Sequence, residues 1–404
     1  MSNSWNLGKA IIFITKLTFS LPFVLLIRII SPFVLIRFGY VYSARIGHFS
    51  QNIDIYLTER EMGFYPPHTI DFFFHQYEIS NYQLKKMWER TGKLRFLPET
   101  KIFACLVWAN SLFPGREKHT VKIPLIDSHG IVPEWPPHIY FTHHEEEFGM
   151  KKLREMGVPI NAPFICFHNR DAAYEKRFVR KEEDPNFHEY RDSNINNYIF
   201  AVTRLTKKGY YAFRMGTVVN EQLNLTNSYI IDYATDYRSD FMDIYLSSKC
   251  KFFIASNTGI TGLPILFRNN MVLVNYIPFQ LINIPAWPRN SLLILKKLWL
   301  KTEKRFLTFK EMSSIEVDIH YKGNYYESIN IEPIENTSEE ILDVVTEMDD
   351  RLNGTWQTQK EDEELQDIFW SFFPSIAKKS EKKNKYSFRI GAEFLRKNKD
   401  LLKC

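Results

Sequence analysis

The sequence predicts an α/β protein of more than one domain, built on parallel sheets. Its 404 residues exceed the usual size of a single domain, so two domains are the natural expectation. Apolar residues make up 45% of the chain and charged residues 25%, which is typical of a folded globular protein and excludes a polytopic membrane protein. Short apolar runs alternate with helical patterns along most of the chain, and this alternation indicates strands joined by helices.

Residues 1–38 form an apolar, basic segment that we expect to lie at a membrane interface. Its longest uncharged run, Leu17 to Ile27, has eleven residues, fewer than the roughly 18 to 20 that a spanning helix needs. Lys9, Lys16 and Ser20 fall on one narrow polar stripe of a helix, so the cations could face anionic headgroups. A buried first helix is one alternative, and a spanning helix or signal anchor is the other.

Residues 39–150 are predicted to form an N-terminal α/β domain. Its strands are expected at Tyr40 to Ala44, Ile53 to Leu57, Thr69 to Phe74, Ile102 to Val107 and Ile139 to Thr142. The boundary is expected within residues 148–163, where a helical pattern ends in Gly, Pro and Asn.

Residues 163–335 are predicted to form a second α/β domain. Its strands are expected at Pro163 to Phe167, Tyr210 to Arg214, Lys251 to Ala255 and Met271 to Asn275. Its helices are expected at Asn194 to Lys207, Asp240 to Ser248 and Thr261 to Phe267. In residues 336–404, helices at Ser338 to Arg351 and Glu361 to Phe373 are expected to cross back to the first domain.

Cysteine content and charge exclude several classes of protein. The four cysteines form no CxxC pair and no Cys/His cluster, which favours a reducing compartment over a zinc site or a disulfide framework. A net charge of +5 is far from the profile of a nucleic-acid-binding protein. The charge is concentrated at the ends: residues 1–50 carry five basic residues and no acid, and residues 378–404 carry ten basic and three acidic residues.

Two stretches place polar residues where a ligand can bind. In ARIGHFSQN (44–52) a strand is expected to break at Gly47, and a glycine there lets backbone N–H groups approach a phosphate or sugar; an ordinary turn is the alternative. In FICFHNRDAAY (164–174) an apolar strand delivers His168, Arg170 and Asp171 at its carboxyl end, where parallel sheets bind ligands. Arg170 offers a planar fork for a diphosphate, and Asp171 could hold it in place; a solvated loop with an internal Arg–Asp pair is the alternative.

Two later strand ends repeat this pattern. GYYAFRMGT (209–217) ends a strand in Arg214 and Gly216, so two successive strands with a terminal Arg indicate an anionic subsite. CKFFIASNTGITGLP (250–264) opens a buried strand into Ser256, Asn257, Thr258 and Gly259 before a helix. Hydroxyls, backbone amides and a helix dipole together bind phosphate; an N-cap without a ligand is the alternative.

These motifs carry a resemblance to known enzymes. The pair His168 and Arg170 resembles the His-x-Arg stretch of fucosyltransferase-type GT-B enzymes, although Asn169 replaces the usual apolar residue between them. DIYLSSKCKFFIASNTGI (243–260) and RIGHFSQN resemble a later helix-strand-loop and a Gly-rich loop of the same superfamily. The ordered set RIGH, HxRDxxY, RMG, SNTG and GAEFLRKN resembles a family of bacterial surface-polysaccharide glycosyltransferases over about residues 40–400.

The resemblance implies a GT-B-like fold, with two Rossmann-like domains facing across a cleft. The donor nucleotide would bind the second domain and the acceptor the first. The implied activity is transfer of a sugar from a nucleotide-sugar donor to a lipid-linked or surface-polysaccharide acceptor, with inversion and without a metal or cofactor. Expected partners are the donor, the acceptor and an anionic membrane surface, with no nucleic acid, and the expected location is cytoplasmic, peripheral on the inner face of the plasma membrane.

The residues can be assigned roles on this basis. Arg170 and Arg214 would neutralise the leaving diphosphate, and residues 256–259 would share that task. His48 and Asp54 are the candidates for the base that takes the acceptor proton. The acceptor-side loop comprises Arg45, Gly47, His48 and Asn52, and the reserve bases are His143, His144 and Glu145.

Metal independence and a lid complete the expectations. No Asp-x-Asp ends a strand, and Asp349 with Asp350 and the run 145–147 are the nearest substitutes for one. The charged, Pro-broken stretch Arg177 to Asn194 is read either as a lid over the donor or as a solvated loop. A nucleotide-sugar epimerase of the same architecture and a non-catalytic membrane-associated scaffold are the rival functions.

Overall fold

The computed structural model of the chain describes residues 7–76, 78–97, 101–178, 189–279, 287–315, 325–373 and 388–403. They belong to two units. Unit 1 comprises Met1–Leu125 and His138–Tyr140, and unit 2 comprises Ile126–Pro137 and Phe141–Cys404. The domain limits expected from the sequence stay predictions.

Unit 1 is a small parallel sheet with helices. Its elements are α1 (Leu7–Ile29), β1 (Leu35–Val41), α2 (Ile46–Glu61), β2 (Thr69–His75), α3 (Tyr82–Arg90), β3 (Arg95–Phe96) and α4 (Lys101–Ser111). The strands pair in the order β1-β2-β3, all parallel. The core of the sheet includes Phe38, Phe73 and Phe74, and α1 packs against α4.

A buried ion pair joins the two long strands of unit 1. Arg37 on β1 donates two hydrogen bonds of 2.7 Å to the carboxylate of Asp71 on β2. Tyr56 and Arg60, both on α2, donate to the same carboxylate. Asp71 is 2% exposed, and a buried carboxylate of this kind is tolerated because several donors satisfy it. The cluster therefore fixes α2 over the sheet.

Several strand predictions in unit 1 are wrong. Residues 53–57 lie within α2, and residues 102–107 lie within α4. Residues 139–142 belong to no strand, and β1 ends at Val41 rather than at residue 44. The apolar run in α2 misled because the helix is buried on nearly all sides from residue 52 to 59, and a short continuous apolar run does not distinguish a strand from a buried helix.

Unit 2 contains a larger sheet, together with the helices that connect and cover its strands. The strands are β4 (Phe164–His168), β5 (Tyr211–Arg214), β6 (Ile230–Ile231), β7 (Phe253–Ala255), β8 (Met271–Tyr276), β9 (Ser291–Leu295), β10 (Lys297–Leu300), β11 (Arg305–Phe306), β12 (Ile331–Ile334) and β13 (Phe388–Ile390). The helices are α5 (His143–Glu155), α6 (Ala173–Phe178), α7 (Asn196–Thr206), α8 (Tyr233–Asp236), α9 (Asp240–Lys249), α10 (Gly262–Leu266), α11 (Phe309–Ser313), α12 (Tyr325–Ser328), α13 (Ser338–Leu352), α14 (Lys360–Ser371) and α15 (Ala392–Lys397).

Seven strands of unit 2 form one parallel sheet in the order β13-β9-β8-β7-β4-β5-β6. Six of them, taken from β6 to β9, follow the strand order of the Rossmann fold, in which the direction of winding reverses beside the first strand. Every residue of β7, β8 and β9 is buried, as expected for parallel strands covered on both faces. The prediction of an α/β fold with parallel sheets is confirmed.

The late helices of unit 2 are anchored by ion pairs and hydrogen bonds. Asp349 on α13 accepts from Lys208 Nζ at 2.6 Å and from Tyr210 Oη at 2.7 Å. Arg396 on α15 donates two hydrogen bonds of 2.8 Å to Asp362 on α14. These contacts join α13 to the segment that follows α7, and α14 to α15.

A close approach on α5 gives a prediction about stability. A Cβ added at Gly149 would overlap the ring of Tyr245 on α9. Gly149→Ala is therefore expected to lower the free energy of unfolding by roughly 1–3 kcal/mol, the usual cost of overpacking. Urea denaturation measures the change, and Met150→Ala, at a neighbouring position that is 43% exposed, is the matched control. Equal stability of both variants would contradict the contact.

Candidate functional site

The strand order in unit 2 reverses between β4 and β7, because β4, β5 and β6 follow one another in one direction and β7, β8 and β9 in the other. In open parallel sheets the groove beyond the carboxyl ends of the strands at such a point is where ligands bind. His168 ends β4, and Ser256 directly follows β7. The backbone N–H of Arg170 donates to Ser256 Oγ at 2.9 Å, so the two strand ends are joined across the switch point.

Arg170 is held at this edge by a carboxylate further along the chain. Its guanidinium pairs with Asp192, and its side chain is 9% exposed. Asp171, the neighbour expected to hold it, instead accepts from the backbone N–H of Ala173 at 2.9 Å and of Asn220 at 3.0 Å. The planar fork predicted for an anion is thus present, with an internal carboxylate as its partner.

His168 is a neutral hydrogen-bonding group. Its Nδ1 lies 2.9 Å from the carbonyl oxygen of Met215, which can only accept, so Nδ1 carries the proton. Burial lowers the pKa of His168 to about 4, and Nε2 is therefore an acceptor near neutral pH. Gly216, the residue after Met215, has a φ of +157°, and a Cβ there would lie 2.8 Å from Val219 Cγ1. The segment after β5 therefore requires glycine at this position.

Arg214 ends β5 at the same edge of the sheet and is buried there. Its side chain is 1% exposed, and its NH1 lies 3.2 Å from Asp232 Oδ1 and donates to the carbonyl of Glu221 at 3.0 Å. Sequence reasoning placed Arg214 beside Arg170 in one anionic subsite, but these contacts give it a structural partner of its own. We expect its loss to reduce stability more than ligand binding.

The loop after β7 offers hydroxyls and backbone groups. Ser256 is fully buried, and Asn257 Nδ2 donates to the carbonyl of Ile277 at 3.4 Å. The Thr258 hydroxyl is buried without a hydrogen-bond partner among the described residues. Gly259 opens a short 3₁₀ turn before α10, and α10 has only five residues, so the helix dipole expected to assist phosphate binding is weak here.

The structure adds cations that sequence reasoning missed. Lys296, directly after β9, is 4% exposed and donates to the carbonyl of Asp192 at 2.6 Å; burial lowers its pKa. Arg191 donates through NH2 to the carbonyl of Asn257. A charged residue directly after a buried strand was the signal that identified Arg170, and the run SLLILK would have identified Lys296 in the same way.

Arg170, Arg191 and Lys296, called here the cation cluster, all contact residues 192 or 257 at the carboxyl edge of the sheet. Acidic groups nearby are Asp192 and Glu335, whose Oε2 accepts from the backbone N–H of Asn194 at 2.9 Å. An Arg fork beside a second Arg and a Lys is suited to an anion with several oxygens, such as a diphosphate.

The predicted acceptor-side loop of unit 1 is not a loop. Residues 46–52 form the first turns of α2, with Arg45 as the exposed N-cap residue, Gly47 in the first turn and Asn52 buried. His48 Nδ1 lies 3.3 Å from Asn52 Nδ2. Burial, and then the charge of Arg45, lower the pKa of His48, so the ring is neutral near pH 7 and can accept a proton.

The other candidate bases differ in their surroundings. Asp54 is 1% exposed and bonded to His138 Nδ1 at 2.7 Å, which weighs against direct contact with an acceptor. Glu145 forms the capping box of α5 with Thr142. His143 and His144 are exposed on the same helix, and His143 Nε2 lies 3.3 Å from Glu147.

The acidic residues and the lid segment named in the sequence analysis lie in the following surroundings. Within the described ranges, no three His, Cys, Asp or Glu side chains come together as metal ligands, and Asp349 is engaged by Lys208 and Tyr210. Of the expected lid, residues 179–188 lie outside the described residues. Its end, Glu189–Arg191, is a 3₁₀ turn that leads into Asp192.

Comparisons with known proteins give only distant structural similarities. No protein-family model matches the chain, and no curated protein matches it. The glycosyl transferase family 9 structure from Veillonella parvula DSM 2008 is 10% identical, with 78% of this chain and 97% of that chain covered, at a TM-score of 0.45. The E. coli ADP-heptose LPS heptosyltransferase II is 11% identical, covering 78% and 98%, at a TM-score of 0.35.

A third solved structure, the H548A form of the wall teichoic acid polymerase TagF, is 10% identical, covering 52% of this chain and 50% of that chain, at a TM-score of 0.25. The three similar structures are a glycosyl transferase, a heptosyltransferase and a polymerase, and none of the three is a fucosyltransferase. Identities and TM-scores this low assign no role to any residue of this chain. The roles of residues in this chain therefore rest on its own contacts.

Proposed function

We propose that the chain is a glycosyltransferase that moves a sugar from a nucleotide-sugar donor to a lipid-linked or surface-polysaccharide acceptor. The observation that carries the proposal is the cation cluster at the switch point of unit 2. Arg170 is fixed there through its own backbone by Ser256, and Lys296 is buried beside it. A nucleotide-sugar donor presents a diphosphate, which is the anion that such a cluster fits.

The proposed reaction is a displacement at the anomeric carbon of the donor sugar. The acceptor hydroxyl attacks the anomeric carbon, the bond from that carbon to the diphosphate oxygen breaks, and the configuration inverts. Negative charge grows on the leaving diphosphate, and Arg170 with Lys296 and Arg191 stabilises it more strongly in the transition state than in the bound donor. His168 Nε2 and the loop 256–259 are assigned to the donor as further hydrogen-bonding groups.

The proton of the acceptor hydroxyl needs a base, and His48 of unit 1 is assigned this role. Its lowered pKa leaves the ring unprotonated near pH 7, and its side chain is only half-buried, whereas Asp54 is fully enclosed. The Asn52 amide Nδ2 can only donate, so Nδ1 is the unprotonated nitrogen of His48. The proton moves from the hydroxyl to Nδ1, in place of that hydrogen bond, as the new carbon–oxygen bond forms. Arg45 and Asn52 are assigned to orienting His48.

Location follows from the proposed acceptor. A lipid-linked acceptor made in the cytoplasm is reached from the inner face of the plasma membrane, so the chain is proposed to be cytoplasmic and peripheral there. No helix among the described residues is long and apolar enough to cross a membrane. The five cations and no acids in residues 1–50 support attraction to an anionic surface.

Nucleotide binding tests the proposed donor site. Thermal unfolding of the full chain is followed with a panel of nucleoside diphosphates and nucleotide sugars. A ligand at a hundred times its Kd stabilises the folded state by about 2.7 kcal/mol, and Arg170→Lys is expected to weaken that effect because it keeps the charge but loses the fork. Arg305→Lys, at a surface ion pair with Glu311, is the control, and absence of any nucleotide effect on the native chain contradicts the proposal.

Product analysis separates transfer from epimerisation. With the donor alone, a glycosyltransferase is expected to leave the nucleotide sugar unchanged or to hydrolyse it slowly to free sugar and nucleotide. An epimerase instead converts the nucleotide sugar into its epimer. Chromatography of the nucleotide sugar after incubation distinguishes the two. A changed sugar that remains attached to its nucleotide contradicts the proposal.

Activity is expected to survive removal of divalent metal ions. The proposed charge stabilisation comes from Arg170, Arg191 and Lys296, and no Asp-x-Asp is present to hold a metal-bound diphosphate. Turnover is measured before and after treatment with EDTA. Loss of turnover that manganese or magnesium restores would overturn metal independence.

A further inference from the structure

Helix α1 of unit 1 presents a broad apolar face to its surroundings. The side chains of Phe19, Phe23, Leu26 and Ile29 are 71%, 62%, 54% and 72% exposed; these four residues are called the apolar face of α1. Successive members are three or four residues apart, so they share one side of the helix. Single exposed apolar residues are ordinary, but a contiguous apolar side is typical of an interaction site.

The orientation of α1 is the reverse of the predicted one. Ser20 is 2% exposed and Val24 is fully buried, so the side that contains Ser20 faces the protein and not solvent. The side chains of Lys9 and Lys16 lie outside the described residues. Because the polar stripe was expected to face headgroups, the structure corrects the assignment: the surface left open on α1 is apolar.

Contacts at its end hold α1 in this orientation. Arg28 donates to the carbonyl of Pro114 and to Asn110 Oδ1, each at 2.8 Å, and its guanidinium lies 4.9 Å from the ring centre of Phe113. A helix fixed in this way cannot rotate its apolar side inward. Phe33, which is 80% exposed just after α1, and Trp108 on α4, which packs against it, add aromatic surface.

The charge around this face selects its partner. Residues 1–53 contain no acid and four Lys and Arg besides Arg37, which is buried against Asp71. Residues 101–122 contain four Lys and Arg and one acid. Lys118 Nζ lies 3.4 Å from Ser31 Oγ, which places a cation beside the end of α1. A second copy of the chain would bring two positive surfaces together, whereas an anionic lipid surface complements both the charge and the apolar side chains.

We propose that the apolar face of α1 inserts into the interface of a membrane leaflet that contains anionic lipid. The inference rests on the proposed peripheral attachment and specifies the surface that makes it. Aromatic and aliphatic side chains enter the region between headgroups and acyl chains, and the flanking cations remain at the headgroups. The helix lies in the plane of the membrane, since Arg28 ties its end to Asn110 and Pro114 of unit 1.

Liposome flotation of the full chain tests the surface. Native protein is expected to float with vesicles of phosphatidylcholine and phosphatidylglycerol, and less with phosphatidylcholine alone. Phe23→Ser combined with Ile29→Ser is expected to weaken partition into the vesicles about tenfold or more, because each change removes an apolar side chain that the membrane would bury. Phe200→Ser combined with Ile160→Ser removes one Phe and one Ile of unit 2 that are also exposed, at 52% and 62%, and is expected to float like the native chain.

A label provides a second measurement that does not depend on a destabilising change. Phe23→Cys carries an environment-sensitive dye in a Cys404→Ser background, with Phe200→Cys as the matched position; Cys105, Cys166 and Cys250 are buried. Insertion predicts a blue shift at residue 23 only, on addition of anionic vesicles. Circular dichroism establishes that each variant is folded.

The outcomes separate this inference from the attachment on which it rests. Native flotation that the α1 variant retains, with no shift at residue 23, overturns the surface but leaves peripheral attachment in place. Failure of the native chain to float with either vesicle overturns both. Equal flotation with neutral vesicles overturns the role of anionic lipid, and a native dimer that the α1 variant converts to monomer overturns the membrane in favour of a second copy.

Discussion

Arg170→Ala is expected to lower turnover by at least about a hundredfold, the usual effect of removing one group that stabilises transition-state charge. The donor is expected to bind less tightly as well, but by a smaller factor, because the leaving diphosphate carries most charge in the transition state. The side chain is nearly buried at the switch point, and its backbone is fixed by Ser256. Steady-state kinetics with the donor identified by thermal unfolding measures kcat and KM separately.

The comparison with Arg214 makes this prediction specific. Arg214→Lys is expected to lower the midpoint of urea unfolding while the folded fraction keeps its turnover, since Arg214 is engaged by Asp232 and Glu221 in the core. Arg170→Lys is expected to lie between native and Arg170→Ala in turnover, with native-like unfolding. If Arg170→Ala folds and turns over normally while Arg214→Lys does not, the roles assigned to the two residues are exchanged.

The fold of unit 2 could be predicted because its strands are buried on both faces. Runs such as FICF and MVLV are continuous and apolar, and helices lie between the strands that contain them. The alternation of strand and helix then implies a parallel sheet. The strand order was not predictable, because pairing between distant strands leaves no local pattern in a single sequence.

In unit 1, the sequence-based prediction was wrong at α2 and α4 for a related physical reason. The segments 53–57 and 102–107 are apolar enough to resemble strands. In α2 the polar residues from 52 to 59 are buried along with the apolar ones, so no exposed polar stripe marks the helix there. At the candidate site, Arg170 and Lys296 follow buried strands and carry a local signal. Arg191 and Asp192 do not, because their positions depend on how the chain returns to the sheet after residue 188.

Asp192 gives the second large prediction for the donor site. Its carboxylate pairs with the guanidinium of Arg170, whereas Lys296 is held by the backbone carbonyl of residue 192. Asp192→Asn therefore removes a negative charge and keeps both the side-chain shape and the Lys296 contact. A diphosphate bound to Arg170 would be repelled by the Asp192 carboxylate, so the substitution is expected to tighten binding of inorganic pyrophosphate about tenfold.

Isothermal calorimetry at low and high salt measures this effect, with Asp350→Asn on α13 as the matched control, because Asp350 is a partly exposed acid paired with Lys208. Tighter binding that shrinks as salt rises is the expected result, since added ions screen the repulsion that the substitution relieves. Urea unfolding accompanies it, because Arg170 loses a charged partner and stability should fall. Weaker binding by Asp192→Asn would show that the carboxylate orients the Arg170 fork for the ligand rather than competing with it.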